Sequence, residues 1–528
     1  MARNGKIIIA KDIKLDKRYK EVLNFSESDM LNLVNTNKVA DATNYSFIRE
    51  KGVISVNFSY TDCLKCNYMA FQNTDYDLKW FFAFIDKVEY VNNATTNIYY
   101  TIDAWSTWFS KLTVKSSYVI REHVSDDSVG LHTLPENLDT GEYVINDIEN
   151  IDDSNQGLTS TVIAVGVSWC PDNTSSLVPS YSENKQYGGV FSGLTYFLFS
   201  DASSCTKFIK AYDDLAKSDA IYSVFLVPLA LVGNVSWSTF NLGNQSGIVS
   251  AIPSYTTFST TLISNKQYTS PSSLNGYVPK NNKLKCYPYN YLYITNNSGI
   301  DVTYNYEDFV NNIAVFNIDG VLTTGCSIRL FPANYKKYNT QTNYPKYDSV
   351  YGITGTKYPT CSWVTDPYTN WLTQNAINNI TAPAKIVATS LQNPTNGVFS
   401  ILDTFNNYYQ HSLVPEQAKG NTSSGDVLMG MRMINFTVYK MSIRAEYARV
   451  IDDFFTRKGY KINRLKVPNI TGRRYFNYIQ IASEDVLGYG EIPEEYMQTI
   501  NDIARNGVTI WHDHDNLGDY SVNNSIVS

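Results

Sequence analysis

The chain has 528 residues, a length at which one hydrophobic core seldom suffices, so we expect about three or four structural units. Its 50 acidic and 43 basic residues give a formal net charge of −7, which excludes general electrostatic attraction to nucleic-acid phosphates as a main driving force. Aromatic residues make up 14% of the chain, and because they pack well on pleated sheets, the composition predicts a mainly β fold with some α-helix, an α+β protein.

Residues 1–124 carry the clearest strand pattern. Apolar residues alternate from Phe82 to Tyr90 and again from Ile98 to Ala104, and the sequence NNAT at 92–95 supplies turn residues between them. This pattern predicts an antiparallel hairpin within a first β-domain. The N-terminal sequence MARNGKIIIAKDIKL has only three consecutive isoleucines, so we expect no secretion signal.

Residues 125–275 are predicted to form a middle domain with one helix among strands. Strand composition is found at 161–167 and 195–199. The helix is indicated by apolar residues at helical spacing after the possible caps Ser203 and Ser204, namely Phe208, Ile209, Tyr212 and Leu215. The run VFLVPLALV at 224–232 is much shorter than the about 20 residues of a membrane-spanning helix, so we expect a buried strand or core segment.

The next two predicted segments differ in composition. Residues 276–395 indicate a second β-rich domain, with long loops rich in tyrosine and asparagine between Pro332 and Trp371. Residues 396–434 are rich in asparagine, glycine, serine and glutamine, with GNTSSG at 420–425, and indicate a flexible loop.

The last predicted segment, residues 435–528, has an α+β pattern. A first helix is expected to end at Gly459 and to face the core with a stripe of Ile443, Tyr447, Val450, Ile451 and Phe454. A second helix is expected from Pro493 to the Asn506-Gly507 pair, followed by a strand at 508–511.

No residue pattern indicates catalysis, a metal or a cofactor. The seven cysteines are scattered and odd in number, which favours assembly in a reducing compartment. Cys63 and Cys66 form one CxxC pair, whereas zinc needs a second pair of ligands. His512 and His514 alternate on an extended chain and face apart, and His123 with its neighbours is best explained by an ion pair at a strand end. We therefore expect no enzyme activity.

A basic group near the C terminus is a candidate for electrostatic contacts. Its members are Arg457, Lys458, Lys461, Arg464, Arg473 and Arg474. Such a group contacts DNA or a neighbouring subunit in some proteins and is a solvated face in others.

Two long aromatic-rich sequences resemble a known family. The first is MAFQNTDYDLKWFFAFIDKVEY at 69–90, followed by IDAWSTWF and by YVIREHV at 118–124. The second is RAEYARVIDDFFTRKGYKINRLKVPNITGRRYFNY at 444–478, followed by NGVTIWH and NLGDYSV. In this order they resemble the N- and C-terminal regions of the tail knob, or distal tail-tube, proteins of small protein-primed podoviruses of Gram-positive bacteria.

The resemblance implies a structural protein of the virion tail, assembled in the host cytoplasm and without enzymatic activity. It implies a ring of six subunits whose β-sandwich or β-barrel domains build a tube wall, with residues 1–124 in that wall and residues 435–528 packing on it. The implied partners are the other subunits of a homo-hexamer, further tail proteins such as the collar, proximal tube and tip enzyme, and the genomic DNA in transit. A mildly acidic conduit would repel the DNA phosphates.

The chain departs from this family just before the C-terminal helices. Relatives carry a long apolar loop there, rich in glycine, alanine and methionine, which is thought to plug the tube and to insert into the host membrane. Here the matching place holds HSLVPEQAKGNT at 411–422, and the apolar remnant consists of Val427, Leu428, Met429 and Met431. We expect a loop at one end of the tube, and contact with the host membrane stays open.

Two other functions fit parts of the sequence. A cell-wall adhesin would use the tyrosine- and asparagine-rich loops from Asn334 to Pro359 to stack on and hydrogen-bond carbohydrate, which a glycan-binding assay would detect. A wall hydrolase would be revealed by zymography. We rank the conduit first, the adhesin second and the hydrolase third.

Overall fold

The computed structural model describes residues 3–48, 52–74, 77–151, 161–171, 186–187, 190–217, 220–232, 235–251, 260–296, 301–322, 326–336, 361–365 and 436–527. The chain divides into two compact units. Unit 1 comprises three stretches, Met1–Gly141, Tyr277–Leu284 and Ala445–Ser528, and unit 2 comprises Glu142–Gly276 and Lys285–Arg444. The domain boundaries expected after residues 124, 275, 395 and 434 stay predictions.

The first stretch of unit 1 contains a closed barrel with the strand order β1-β3-β4-β7-β6-β5. The barrel strands are β1 (Arg3–Ala10), β3 (Lys38–Ile48), β4 (Val53–Val56), β5 (Tyr68–Asn73), β6 (Phe81–Asn92) and β7 (Thr95–Ile102). Three further strands of this stretch lie outside the barrel, namely β2 (Glu21–Leu23), β8 (Thr113–Val114) and β9 (Ser117–Glu122). Its helices are α1 (Glu27–Thr36), α2 (Tyr60–Cys63) and α3 (Ala104–Trp108).

The predicted hairpin is confirmed, because β6 and β7 pair antiparallel and are neighbouring strands of the barrel. Side chains such as Phe82 and Ile98 are fully buried. The prediction was wrong at Ala104, which begins α3 instead of continuing the strand. The carboxylate of Asp103 accepts the N–H of Ser106 at 3.1 Å and so caps the helix one residue after β7 ends.

Unit 2 contains two four-stranded sheets, a five-stranded sheet and a two-stranded ribbon within the described residues. The orders are β10-β24-β19-β20, β18-β21-β22-β23, β15-β11-β14-β17-β16 and β12-β13. The strands are β10 (Tyr143–Ile151), β11 (Thr161–Val167), β12 (Gln186–Tyr187), β13 (Val190–Phe191), β14 (Thr195–Phe199), β15 (Ile221–Pro228), β16 (Ser238–Leu242), β17 (Gln245–Ala251), β18 (Thr260–Thr269), β19 (Asn290–Thr295), β20 (Asp301–Tyr304), β21 (Ile313–Leu322), β22 (Cys326–Pro332), β23 (Cys361–Thr365) and β24 (Phe436–Ile443). The helices are α4 (Ala202–Asp214) and α5 (Leu229–Val232).

The predicted strands at 161–167 and 195–199 are confirmed as β11 and β14, which pair antiparallel. The predicted helix is α4, but its cap is Asp201, whose carboxylate accepts the N–H of Ser204 at 2.7 Å. Leu215 follows the last helical residue and is 39% exposed, so it is not part of the buried face. The run 224–232 forms the end of β15 and α5, with Val224 and Val227 fully buried, as expected for a core segment.

The third stretch of unit 1 adds α6 (Ala445–Lys458), β25 (Tyr460–Lys466), β26 (Phe476–Ile481), β27 (Gly488–Tyr489), α7 (Glu494–Asn506) and β28 (Val508–Trp511). It completes a five-stranded sheet with the order β2-β28-β26-β9-β25, and β27 pairs with β8. Two strands of that sheet, β2 and β9, come from the first stretch. The expected mainly β fold with some α-helix is confirmed, and its sheets and barrel are antiparallel apart from the parallel pair of β2 and β28 among the described strands.

The helix stripe predicted for α6 was partly wrong. Ile451 is buried, but Val450 is 71% exposed, Tyr447 and Phe454 are only partly buried, and Ile443 belongs to β24. The buried face instead runs through Ala448, Ile451, Asp452 and Phe455, which keep helical spacing. The buried face lies about one residue further along the helix than the predicted one. The apolar pattern did not indicate it, because a polar residue, Asp452, occupies a core position.

Both predicted helix ends are confirmed. Gly459 follows α6 with a φ of 63°, and Gly507 follows α7 with a φ of 85°, a left-handed backbone that favours glycine. Pro493 directly precedes α7, and the strand expected at 508–511 is β28.

Candidate functional site

One face of the β10-β24-β19-β20 sheet in unit 2 carries a solvent-accessible patch of uncharged side chains, with Asp301 on the same face at the β20 edge. Cross-strand pairing places Ile145, Met441 and Tyr291 in one row and Ile148, Tyr439 and Tyr293 in the next. Ile145 is 50% and Ile148 is 57% exposed, and the other four side chains are partly exposed. We call these six residues the tyrosine face. An apolar, aromatic surface of this kind has the composition of a protein contact.

The strand β10 forms one edge of this sheet among the described residues, next to the tyrosine face. The outer strand, β10, has nine residues, and within the described part of the chain its only strand partner is β24. The opposite face of the sheet is closed, because Leu292, Ile294 and Val438 are fully buried in the core of unit 2. A free strand edge beside an apolar face can accept another strand or another subunit.

Four charged side chains border the buried side of β10. Lys440 pairs with Asp147 at 2.7 Å and lies 4.0 Å from Glu149, which also pairs with Lys266 of β18. Both ammonium groups lie 5.8 Å from the centroid of the Tyr268 ring. These charges neutralise one another, so they add no net charge beside the tyrosine face.

Buried carboxylates join the three stretches of unit 1. Glu136, from the first stretch, forms ion pairs with Arg121 and with Lys283 of the second stretch. The same carboxylate accepts the backbone N–H of Lys461, in the third stretch, at 2.9 Å. Asp127 acts similarly, because it accepts the Tyr460 hydroxyl at 2.6 Å and the N–H of Asn282 at 3.0 Å. Nothing in the sequence distinguished these carboxylates from surface ones.

His123 is a structural residue. Its Nδ1 accepts the N–H of Tyr478 at 2.7 Å, so Nε2 carries the proton and donates to the carbonyl of Thr456 at 2.9 Å. Burial and the charge of Arg473 lower the pKa of His123 to about 3, so the ring is neutral at pH 7. The ion pair expected at this strand end is formed by Glu122 with Lys466.

The other titratable candidates also have structural surroundings. Cys63 and Cys66 are buried thiols, and burial raises their pKa to about 11 and about 12. His512 lies just after β28, with Nε2 3.0 Å from the Asn477 side-chain oxygen. Among the described residues, no group of three His, Cys, Asp or Glu side chains could hold a metal ion.

The structure separates the members of the basic group. Arg457 and Lys458 end α6, Lys461 and Arg464 lie on the edge strand β25, and Arg474 stacks 5.2 Å from the Tyr475 ring centroid. Arg473 forms hydrogen bonds within unit 1, because its guanidinium donates to the carbonyls of Val124 at 3.0 Å and Asn524 at 3.4 Å. Burial lowers the pKa of Arg473. A contact of this group with DNA or with another subunit stays a prediction.

The remaining candidates fall outside the described residues. These are the loop residues Val427, Leu428, Met429 and Met431, and the part of the tyrosine- and asparagine-rich loops at 337–359. In the part of the chain that is described, no helix has both the length and the apolar character needed to cross a membrane.

Comparisons with known proteins give matches along the chain. A family model described as Bacillus phage phi29, Tail knob protein gp9, C-terminal domain, matches residues 254–426 and 388–525, and a Caudoviral major tail protein N-terminus model matches residues 3–113. Tail knob protein gp9 of Bacillus phage PZA and that of Bacillus phage phi29 are each 25% identical, over 98% of this chain and 98% of their own. The solved tail knob protein gp12 of bacteriophage C1 has the same fold, with a TM-score of 0.62, 13% identity, and coverage of 99% of this chain and 100% of its own.

Proposed function

The chain belongs to the family of phage tail knob proteins represented by phi29 gp9, and from this premise we propose that six copies form a ring at the distal end of the tail through which the genome leaves the virion. The protein is a structural component of the virion tail, and its relatives are structural proteins and not enzymes. The ring, its stoichiometry and the passage of DNA are the proposed part.

The tyrosine face and the free β10 edge carry the proposal of a ring. A cyclic assembly needs heterologous contacts, in which one surface of each subunit meets a different surface of the next. Tyrosine and methionine are enriched in the centres of such interfaces, and charged side chains are depleted. The six residues of the tyrosine face meet both conditions, and the edge of β10 offers backbone groups for hydrogen bonds to a neighbour.

The charge of the chain supports a conduit in which DNA is not retained. The formal net charge is −7, because the chain has 50 acidic and 43 basic residues. A neutral or mildly acidic wall gives no counterion release on contact with DNA, so the duplex can slide.

Electron microscopy of the full chain and of tails tests the ring. We expect six-fold particles with a bore of at least about 20 Å, enough for duplex DNA with its grooves. Ile148→Glu puts a charge into the tyrosine face and should reduce ring formation. Ile248→Glu is the control, because Ile248 is similarly exposed, at 47%, on β17 of the same unit. Rings of another symmetry, or equal assembly of both variants, would contradict the proposal.

The predicted tip loop lies outside the described residues. We place Val427, Leu428, Met429 and Met431 in a loop at one end of the tube, on the family position and their apolar character. If the long apolar loop of the relatives is the lipid-active element, this chain should release dye from liposomes weakly, and a Gly-, Ala- and Met-rich insert near Lys419 should increase release. Strong release by the unmodified chain would place the lipid-active element elsewhere.

A further inference from the structure

Three strands of the five-stranded sheet of unit 1 form the floor of a cationic site, and two side chains of this floor, Thr509 and Tyr478, are buried. Register places Glu21 of β2 opposite Thr509 of β28, and Thr509 opposite Tyr478 of β26. The three side chains therefore lie in one row on one face of the sheet. The Tyr520 hydroxyl closes one end of this row, 3.0 Å from Glu21 Oε1 and 3.2 Å from the Thr509 hydroxyl.

Cationic side chains surround this floor. The Lys458 ammonium lies 4.4 Å from the centroid of the Tyr478 ring, and the Arg457 guanidinium lies 5.1 Å from that of Tyr520. Lys20 directly precedes β2 and is exposed, and its carbonyl accepts the N–H of Thr509 at 3.0 Å. We call Lys20, Arg457, Lys458 and Tyr520, with Glu21 and Thr509 in the floor beneath them, the Lys458 site.

The positive charges of this site are incompletely compensated. Arg457 pairs with Asp453 at 3.0 Å, and Glu21 contributes the only carboxylate of the floor row. In the part of the chain that the structure describes, no carboxylate oxygen lies within the 4.0 Å of an ion pair from the ammonium of Lys20 or Lys458. Burial, then the charges of Lys20, Arg121 and Arg457, lower the pKa of Lys458, while Glu21 raises it. A bound anion would relieve this repulsion.

We infer that the Lys458 site binds a phosphate-type oxyanion. Two lysines and an arginine supply the positive charges and N–H groups that donate to phosphate oxygens, and the partly exposed Tyr520 lies beside them. The structural alternative is a set of lysines that cover aromatic rings without a ligand. The inference goes beyond the proposed ring and holds for a single subunit. The phosphate comes either from solution or from a DNA backbone.

Thermal unfolding of the full chain in phosphate and in chloride, at equal ionic strength, tests the inference. A ligand that binds the folded chain raises the unfolding temperature with its concentration. Lys458→Gln should weaken apparent phosphate binding by at least about tenfold, the effect of losing one charge-assisted hydrogen bond. Arg464→Gln is the matched control, because it removes one charge from an exposed position on β25, and it should change binding less than about twofold.

Further experiments identify the source of the phosphate and control for a variant that does not fold. Lys20→Gln changes an exposed residue and should weaken binding in the same direction even if Lys458→Gln fails to fold. A short DNA duplex that binds the wild type, is displaced by phosphate and binds Lys458→Gln more weakly would assign the phosphate to DNA. Phosphate binding without duplex binding would assign it to a free anion. Equal unfolding temperatures of the wild type in phosphate and chloride, or equal loss in the Arg464 control, would overturn the inference without bearing on the ring.

Discussion

The side-chain amide of Asn281 donates to Asp452 Oδ1 at 2.8 Å, and the backbone N–H of Asn281 donates to the same oxygen at 3.1 Å. The second oxygen of Asp452 accepts the Tyr277 hydroxyl and the N–H of Lys280, each at 2.7 Å. One buried carboxylate in the middle of α6 therefore holds the second stretch of unit 1.

Asp452→Ala should destabilise unit 1 by about 3 kcal/mol or more, because it leaves several buried donors without an acceptor. Asp453→Ala is the control on the neighbouring residue, since Asp453 is 57% exposed and pairs only with Arg457 among the described side chains. Its cost should stay below about 1 kcal/mol. Urea unfolding of both variants measures the difference, and similar midpoints would contradict the importance of the Asp452 contacts.

Phe455→Ala should cost about 3 to 5 kcal/mol, because the ring of Phe455 is fully buried and its removal leaves a cavity. Phe454→Ala should cost clearly less, since Phe454 is only partly buried and packs with its ring centroid 4.8 Å from the Arg121 guanidinium. Chemical denaturation of the pair distinguishes the observed helix face from the one that the sequence pattern predicted. A larger loss of stability for Phe454→Ala than for Phe455→Ala would support the helix face that the sequence pattern predicted.

Stability should fall as the pH is lowered from about 6.5, because of His123. Its pKa is near 6.5 in the unfolded chain and about 3 in the folded one, so the unfolded chain binds the extra proton and acid favours unfolding. The loss approaches about 1.4 kcal/mol per pH unit between these values. His123→Gln removes this titration, so the difference in unfolding free energy between pH 7 and pH 5 should shrink by about 2 kcal/mol. An unchanged difference would show that His123 is not the group responsible.

Gly459→Ala should destabilise the chain more than Gly243→Ala, although both glycines have a left-handed backbone with φ near 60°. A Cβ at Gly459 would collide with the backbone carbonyl of Glu122, whereas nothing lies within 4 Å of a Cβ at Gly243. We expect about 1 kcal/mol at Gly243 from backbone strain alone, and at least about 2 kcal/mol at Gly459. Thermal unfolding of both variants gives the comparison, and equal shifts would rule out the steric contribution.

Local elements were predictable from the sequence where local physics decides them. The β6–β7 hairpin has its turn residues and alternation within about twenty positions, and Gly459 and Gly507 end their helices by their own backbone conformation. The face of α6 was predicted less well. Apolar spacing selected Val450, whereas the buried face contains Asp452. The carboxylate oxygens of Asp452 accept hydrogen bonds from N–H groups about 170 positions away in the sequence.

The candidate site could not be predicted from sequence because it depends on pairing between distant strands. Ile148, Tyr439 and Tyr293 form one row only after β10, β24 and β19 come together. The basic group shows the converse, because residues that are close in sequence have different surroundings in the structure. Its members are close in sequence, yet Arg473 is hydrogen-bonded inside unit 1 while Arg457 and Lys458 border a surface to which Lys20, from the N-terminal stretch, contributes.

The position of β9 between β26 and β25 has a consequence for biosynthesis. Arg121 of β9 and Gly459, which directly precedes β25, are hydrogen-bonded but 338 positions apart. At a translation rate of about 5 to 20 residues per second, β9 leaves the ribosome roughly 20 to 70 s before its partners are made. During that interval β9 lacks both of its neighbouring strands, so we expect unpaired strand edges in the nascent chain to favour aggregation until residues 460–481 are made.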